Sequence, residues 1–223
     1  MPIITLERKI LKKNDEIANE NRIVFKNNNI FTINLLSSPG SGKTSLLEKT
    51  LAKIHNDMNI AVIEGDVQTD NDARRIANYN VPVVQIVTNG GCHLEAKLIQ
   101  DALANFNLHP LQFLIIENVG NLVCPANYDL GEHHKIVLIS TTEGDDKPLK
   151  YPPMFRMADV MIINKMDLLE YVDFSVENVR KNALKINPKL EIFEVSCKIG
   201  TGIDEWIKWL LAKIQKNTGI SKN

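Results

Sequence analysis

Ile33-Asn34-Leu35-Leu36-Ser37-Ser38-Pro39-Gly40-Ser41-Gly42-Lys43-Thr44 starts as an apolar strand and ends in the first turn of a helix, with a glycine-bearing loop between. Successive N–H groups of such a loop, with the helix N-terminus, make a cradle for anions, and its glycines let the backbone close on phosphates. Lys43 is placed to neutralise β- and γ-phosphates, and the Thr44 hydroxyl to bind Mg²⁺. Pro39, Gly40, Ser41, Gly42 and Ser45 complete the phosphate-binding run. The usual pattern has a glycine six residues before the lysine; here Ser37 stands in that place.

Outward from this loop the chain alternates apolar runs with helical patterns. Strands are predicted at Ile33–Leu36, Ile60–Ile63, Val83–Val87, Phe113–Ile116, Ile136–Ile139, Val160–Ile163 and Ile192–Val195. Helices are predicted near 43–56, 70–78, 93–106, 175–186 and 203–215, with Asp70 or Asp72 able to cap the second of them. Several strands are continuous apolar runs, as parallel strands buried on both faces require. The fold class is therefore α/β: a P-loop NTPase with a mostly parallel sheet of about seven strands and helices on both faces. Residues 5–22 read as an amphipathic helix, with Leu6, Ile10 and Ile17 at helical spacing, and the Asn-rich run from Lys26 to Asn29 ends it. The expected organisation is an N-terminal helical arm, 1–29, followed by a nucleotide-binding domain, 30–223.

Composition sets limits on partners. The chain of 223 residues carries 26 basic and 27 acidic side chains, a net charge of -1, which gives no pull toward nucleic acid or anionic membranes. No apolar run approaches the ~20 residues of a membrane span, and the charged start is unlike a signal peptide, so a cytoplasmic location is expected. Three cysteines argue against a disulfide framework and for thiolates, if they act at all.

The sixth predicted strand ends in Asn164-Lys165-Met166-Asp167. A carboxylate at Asp167 can accept from guanine N1–H and the 2-amino group together. Adenine lacks that amino group and would leave the carboxylate unpaired. Lys165 can lay its alkyl stem on the base, and Asn164 can tie neighbouring loops. Ser196-Cys197-Lys198 follows the last strand, where a backbone N–H can meet guanine O6. With the phosphate loop, these elements predict binding and hydrolysis of GTP. Glu117, at the end of the fourth strand, and Asp66, at the end of the second, are the expected partners of Thr44 around Mg²⁺. Lys43, Asp66 and Glu117 are the candidate catalytic groups, with Asp66 orienting the attacking water or holding the metal.

Gly90-Gly91-Cys92-His93-Leu94-Glu95 stands where the third strand gives way to a helix, and Cys124 follows Glu117 by seven residues. A cysteine at a helix N-terminus has a depressed pKa, which predicts ready thiolate at Cys92. Two thiolates and an imidazole suit Zn²⁺ or Ni²⁺ and leave a coordination position open. On spacing alone, however, small buried hydrophobes are the commoner fate of free cysteines, and Cys197 is read that way. His133 and His134 are expected to face solvent, and Glu143 to Pro148 either to join the switch or dimer surface or to form a charged loop.

Taken together, Leu36–Ser45, Glu64-Gly65-Asp66, Asn89–Ala96, Glu117–Pro125 and Asn164–Asp167 resemble the hydrogenase-maturation nickel-incorporation GTPases (HypB). The similarity runs from about residue 30 to the C-terminus, and urease accessory GTPases are related. The resemblance implies a homodimer pairing two nucleotide sites, and delivery of nickel to the hydrogenase large subunit with a nickel-metallochaperone partner. It also implies that Cys92, His93 and Cys124 form a nickel or zinc site, against the buried packing role that spacing alone favours for the two cysteines. Some family members carry an N-terminal cysteine motif or a His-rich stretch. Here the first 54 residues hold neither Cys nor His, so tight nickel storage by the arm is not expected. The rival expectations are urease maturation, a metal-independent regulatory GTPase and a small-molecule kinase.

Overall fold

In the computed structural model, residues 6–68 and 71–219 are described. Seven strands form one sheet: β1 Phe31–Ser37, β2 Ile60–Asp66, β3 Val83–Val87, β4 Phe113–Glu117, β5 His134–Ser140, β6 Val160–Asn164 and β7 Glu191–Glu194. Their order is β3-β2-β4-β1-β5-β6-β7, and every pairing is parallel. The helices are α1 Leu6–Asn27, α2 Lys43–Ile54, α3 Asn71–Ala77, α4 Ala96–Leu103, α5 Lys147–Lys150, α6 Pro152–Met157, α7 Val176–Ile186 and α8 Ile203–Thr218.

Alternation along the strands sorts the core into faces. Phe31, Ile33 and Leu35 of β1, with Phe113, Ile115, Ile136 and Leu138, pack under α2 and α8. Trp206 of α8 is almost wholly buried there and donates from Nε1 to Thr50 Oγ1 of α2 at 3.0 Å. On the other face, Val137, Ile139, Met161 and Ile163 meet α6 and α7, while Ala61, Ile63, Leu114 and Ile116 meet α1 and α4. Each fully buried aliphatic or aromatic side chain of this kind contributes about 1.5–3 kcal/mol. The central strands are apolar on both faces for this reason. The edge strand β7, Glu191-Ile192-Phe193-Glu194, is only half covered, with exposed glutamates at both ends of a partly buried apolar pair.

Several element boundaries differ from the sequence expectation. α1 runs on to Asn27 because Val24 and Phe25 carry its apolar face further, with Phe25 fully buried. It stops where Asn29 takes a left-handed backbone (φ 55°) and Ile30 N–H donates to Phe25 O at 2.9 Å. The helix predicted at 93–106 is shorter, Ala96–Leu103; residues 92–95 turn sharply ahead of it. Asp72 lies inside α3 and does not cap it, while Asp70 falls outside the described residues. The last strand is displaced to Glu191–Glu194, so Val195 already lies in the loop that carries Ser196, Cys197 and Lys198. The short helices α5 and α6 have no counterpart in the sequence expectation, although each has proline in its first turn, the usual place for it.

Candidate nucleotide and metal site

All the loops singled out in the sequence leave the carboxyl ends of the parallel strands, where ligands of open α/β sheets bind. A cleft of about 530 Å³ opens there. Pro39, Gly40, Gly42, Lys43, Thr44 and Ser45 form one wall, and Glu64, Asp66, Asp72 and Glu117 supply its acidic side.

The phosphate loop is held on several sides. Lys43 Nζ donates to Ser37 Oγ at 3.1 Å, so the serine in the glycine position positions the ammonium. Ser41 Oγ donates to Glu143 Oε1 at 2.6 Å, and Lys147 Nζ to Ser38 Oγ at 2.8 Å. Lys147 and Glu143 form an ion pair at 2.8 Å. Burial pushes the Glu143 carboxyl up, but the Lys147 ammonium and the Ser41 hydroxyl outweigh it and hold the group below the usual carboxylate range. Glu143 to Pro148 is therefore no loose charged loop: it grips the phosphate loop from β5.

The base side is knit by one residue. Asn164 Nδ2 donates to Ser41 O at 2.9 Å, and its Oδ1 accepts from Cys197 N at 3.2 Å. Gly42 has φ 100°, and a Cβ there would collide with Asn164 Nδ2, so only glycine fits. Asp167 accepts a hydrogen bond from the Ser196 hydroxyl. Lys165 takes a left-handed backbone (φ 62°) and lines the cleft, with its carbonyl accepting from Thr141 Oγ1 at 2.7 Å. Lys198 is exposed at the rim, whereas Cys197 is buried and its thiol is pushed up to about 11 by that burial.

The acidic wall differs from the expected set. Oxygens of Glu64, Asp72 and Glu117 lie within 4.8 Å of one another. Asp66 lines the same cleft from the end of β2, with its Oδ1 accepting from Val67 N at 2.7 Å. Thr44 Oγ1 donates to Glu117 Oε1 at 2.9 Å. Glu64 and Glu117 are both 2 % exposed, and Oε2 of each has no hydrogen-bond partner. Burial first, then the neighbouring Glu117 carboxylate, pushes the Glu64 carboxyl up to about 11. Burial also raises Glu117, against the pull of Lys43 and its hydrogen bonds. Two adjacent buried carboxyls favour a shared proton or a cation between them, and an all-oxygen set suits a hard ion such as Mg²⁺. Glu64 and Asp72 are not among the groups that the sequence singles out for this wall. Glu64 stands two residues before Asp66 in β2, so strand alternation puts the two on one face, and that spacing is the signal that could have found it.

Cys92, His93 and Cys124 come together although they are separated in sequence: their ligand atoms lie within 4.8 Å of one another. Cys124 opens a 3₁₀ turn, Cys124–Asn127, with Pro125 in its first turn. Cys92 Sγ stands 3.6 Å from His93 Nδ1, and Asn121 Nδ2 donates to Cys92 O at 3.2 Å. The Tyr128 ring packs on His93 with centroids 3.9 Å apart. Burial lowers the His93 pKa and keeps the imidazole neutral, the form that binds metal. The predicted low pKa of Cys92 is overturned. α4 begins at Ala96, so no helix terminus reaches Cys92, and the neighbouring Cys124 sulfur together with burial raises its thiol. A cation replacing those protons would remove the penalty.

The two centres are joined through Asn118, the residue after Glu117. Its Oδ1 accepts from Leu94 N at 3.1 Å and from Val119 N at 3.0 Å, and its Nδ2 donates to Asn34 Oδ1 at 3.3 Å. Leu94, next to His93, packs so closely on Gly65 that a Cβ there would lie 2.8 Å from Leu94 Cδ1. His133 and His134 take no part in either centre. His133 is exposed, as expected, with its Nδ1 accepting from Thr32 N at 3.1 Å; contrary to expectation His134 is half-buried at the start of β5, 3.3 Å from Asp159 Oδ2. Both sit at the amino ends of the strands, across the sheet from the cleft.

Comparison with known proteins agrees with this architecture. Residues 31–194 match the family described as CobW/HypB/UreG, nucleotide-binding domain. The chain is 51% identical over 208 residues to the hydrogenase maturation factor HypB of Azotobacter vinelandii, covering 93% of this chain and 69% of that one. It is 44% identical over 218 residues to the hydrogenase/urease maturation factor HypB of Helicobacter pylori, covering 96% and 89%. The crystal structure of HypB from Helicobacter pylori in complex with nickel superposes with a TM-score of 0.87 at 43% identity, over 92% of this chain and 97% of that one. The span that matches the family holds the phosphate loop, the acidic wall, the cluster of Cys92, His93 and Cys124 and the run from Asn164 to Asp167, and the chain belongs to the CobW/HypB/UreG family, within its HypB hydrogenase maturation factors.

Proposed function

We propose that the protein is a GTP-hydrolysing metallochaperone that helps insert nickel into the hydrogenase large subunit, with metal binding coupled to nucleotide state. The observation that carries this reading is the convergence of Cys92, His93 and Cys124 within 4.8 Å, one hydrogen-bonded residue away from a phosphate cleft. Nickel is cargo here, and zinc fits the same donors. The working unit is a homodimer in the cytoplasm, serving a nickel-metallochaperone partner and the apo-hydrogenase. Among the described residues, no helix is long and apolar enough to cross a membrane.

In the nucleotide cleft, Asn164 and Asp167 select guanine, and the loop from Pro39 to Ser45 wraps the phosphates. Thr44, Glu117 and Asp66, with Glu64 and Asp72 beside them, are the groups that would hold Mg²⁺, which supplies positive charge against the β- and γ-phosphate oxygens. Lys43 adds a second positive charge there. Asp66 orients the attacking water and takes up its proton. The loss of the γ-phosphate changes what the Glu117–Cys124 segment can contact, and Asn118 passes that change to Leu94 and His93. Such coupling is typically worth ~1–3 kcal/mol and is reciprocal.

The test is a titration of nickel and of zinc into the GDP and GTP-analogue forms. We expect affinities that differ between the two forms; identical values would remove nucleotide gating. A second reading, urease maturation, is favoured by the dual description of the Helicobacter pylori relative. It uses the same chemistry and is separated by which apo-enzyme the protein activates.

A further inference from the structure

α1 carries two asparagines that the nucleotide chemistry does not use. Asn14 and Asn21 are seven residues apart, two turns, and so face the same way. They are 5 % and 0 % exposed. Asn14 Oδ1 accepts from Ala96 N at 2.8 Å, and its Nδ2 donates to Asp129 O at 2.8 Å. Asn21 Nδ2 donates to Ala96 O at 2.9 Å and to Leu130 O at 3.0 Å. Each side chain therefore ties the same two segments, one just after His93 and the other just after Cys124. Arg22 adds an ion pair to Asp129.

Local geometry shows why the ties matter. The first N–H groups of a helix need acceptors from outside it. Glu95, the N-cap of α4, provides no side-chain cap, and Asn14 does so from another helix. The start of α4 in turn fixes where Cys92-His93 can stand. On the other side Gly131 (φ 94°) lies hard against α1: a Cβ there would be 2.7 Å from Ala18 O. An apolar face alone would hold α1 to the sheet, and Ala18 and Phe25 already do so. Buried amides add register, because each hydrogen bond is satisfied at one spacing only.

We propose that α1 is a brace for the metal site, with Asn14 and Asn21 positioning the Cys92-His93 and Cys124 segments at the separation nickel requires. This rests on the reading of those three residues as ligands. The test uses the full chain and nickel alone, comparing Asn14→Ala and Asn21→Ala with Leu210→Ala, a core truncation on the opposite face of the sheet. Dissociation constants and the nickel–thiolate charge-transfer absorption are both recorded. Residues that orient ligands typically change metal affinity by about 10- to 100-fold. We expect a loss in that range with a shifted absorption for the two asparagine variants, and unchanged affinity and absorption for Leu210→Ala despite its lower Tm. Wild-type affinity and absorption in the asparagine variants would overturn the brace, as would an equal loss in Leu210→Ala. If both asparagine variants fail to fold, Arg22→Gln, at an exposed ion pair, is expected to lose about threefold; no loss there also overturns it. Failure of the unaltered protein to take up nickel would instead remove the metal reading, and the brace with it.

Discussion

The two sides of the nucleotide cleft are prepared differently. On the base side the donors and acceptors are already matched: Asn164 joins Ser41 to Cys197, and Ser196 donates to Asp167. On the phosphate side, Glu64 and Glu117 are buried with an orphaned oxygen each. A satisfied region is rigid before its ligand arrives, whereas one with unmet charge is completed by it. The contrast separates recognition, which can be preformed, from the cation-dependent chemistry.

The largest expected effect lies on the unmet side. Asp66→Ala should lower turnover by about 10²- to 10⁴-fold, the usual worth of a general base, while GDP affinity stays within a few-fold. Phosphate release and nucleotide binding measured in parallel decide this, and undiminished turnover removes Asp66 from the mechanism. Next comes the base side. Asp167→Asn should reduce the preference for GDP over ADP by about 100-fold, because the carboxylate no longer penalises a base without the 2-amino group. An unchanged ratio from competition binding would place guanine selection elsewhere.

Glu64→Gln sharpens the contrast further. Glu64 carries its proton in the absence of metal, its carboxyl being pushed up to about 11. The amide should therefore leave magnesium-free GDP binding unaltered and weaken magnesium by about tenfold, the lower end for a residue beside a metal. The smallest effect concerns Glu143. Its folded pKa is depressed, so it contributes stability above the ordinary carboxylate range, and that contribution is lost as pH falls through the lowered folded value. Glu143→Gln should thus destabilise the protein at neutral pH, and its difference from the unaltered protein should shrink on acidification; a constant difference from about pH 7 to about pH 3 would contradict the shift.

The fold is legible in the sequence because long apolar runs bounded by turns read as strands buried on both faces. The base motif and the phosphate loop are legible too, since both are contiguous. What stays hidden is what depends on long-range contact. Glu64 meets Glu117 only because β2 and β4 are neighbours in the sheet, with Glu64 registered against Glu117. Cys92 reads as a helix-terminal thiolate until the start of α4 at Ala96 removes the helix from beside it. The grip of Glu143 and Lys147 on Ser41 and Ser38 crosses more than a hundred residues and leaves no local pattern.

The single side chain of Asn164 spans the phosphate loop and the base loop, and so fixes the interval between them. The cleft consequently acts as a gauge. A free base or an inorganic phosphate can satisfy one end only and forfeits the benefit of having the other end already in place. A ligand whose base and phosphates are set at the matching interval engages both at once, without the chain having to rearrange between them. Discrimination of that kind depends on length as much as on chemical identity.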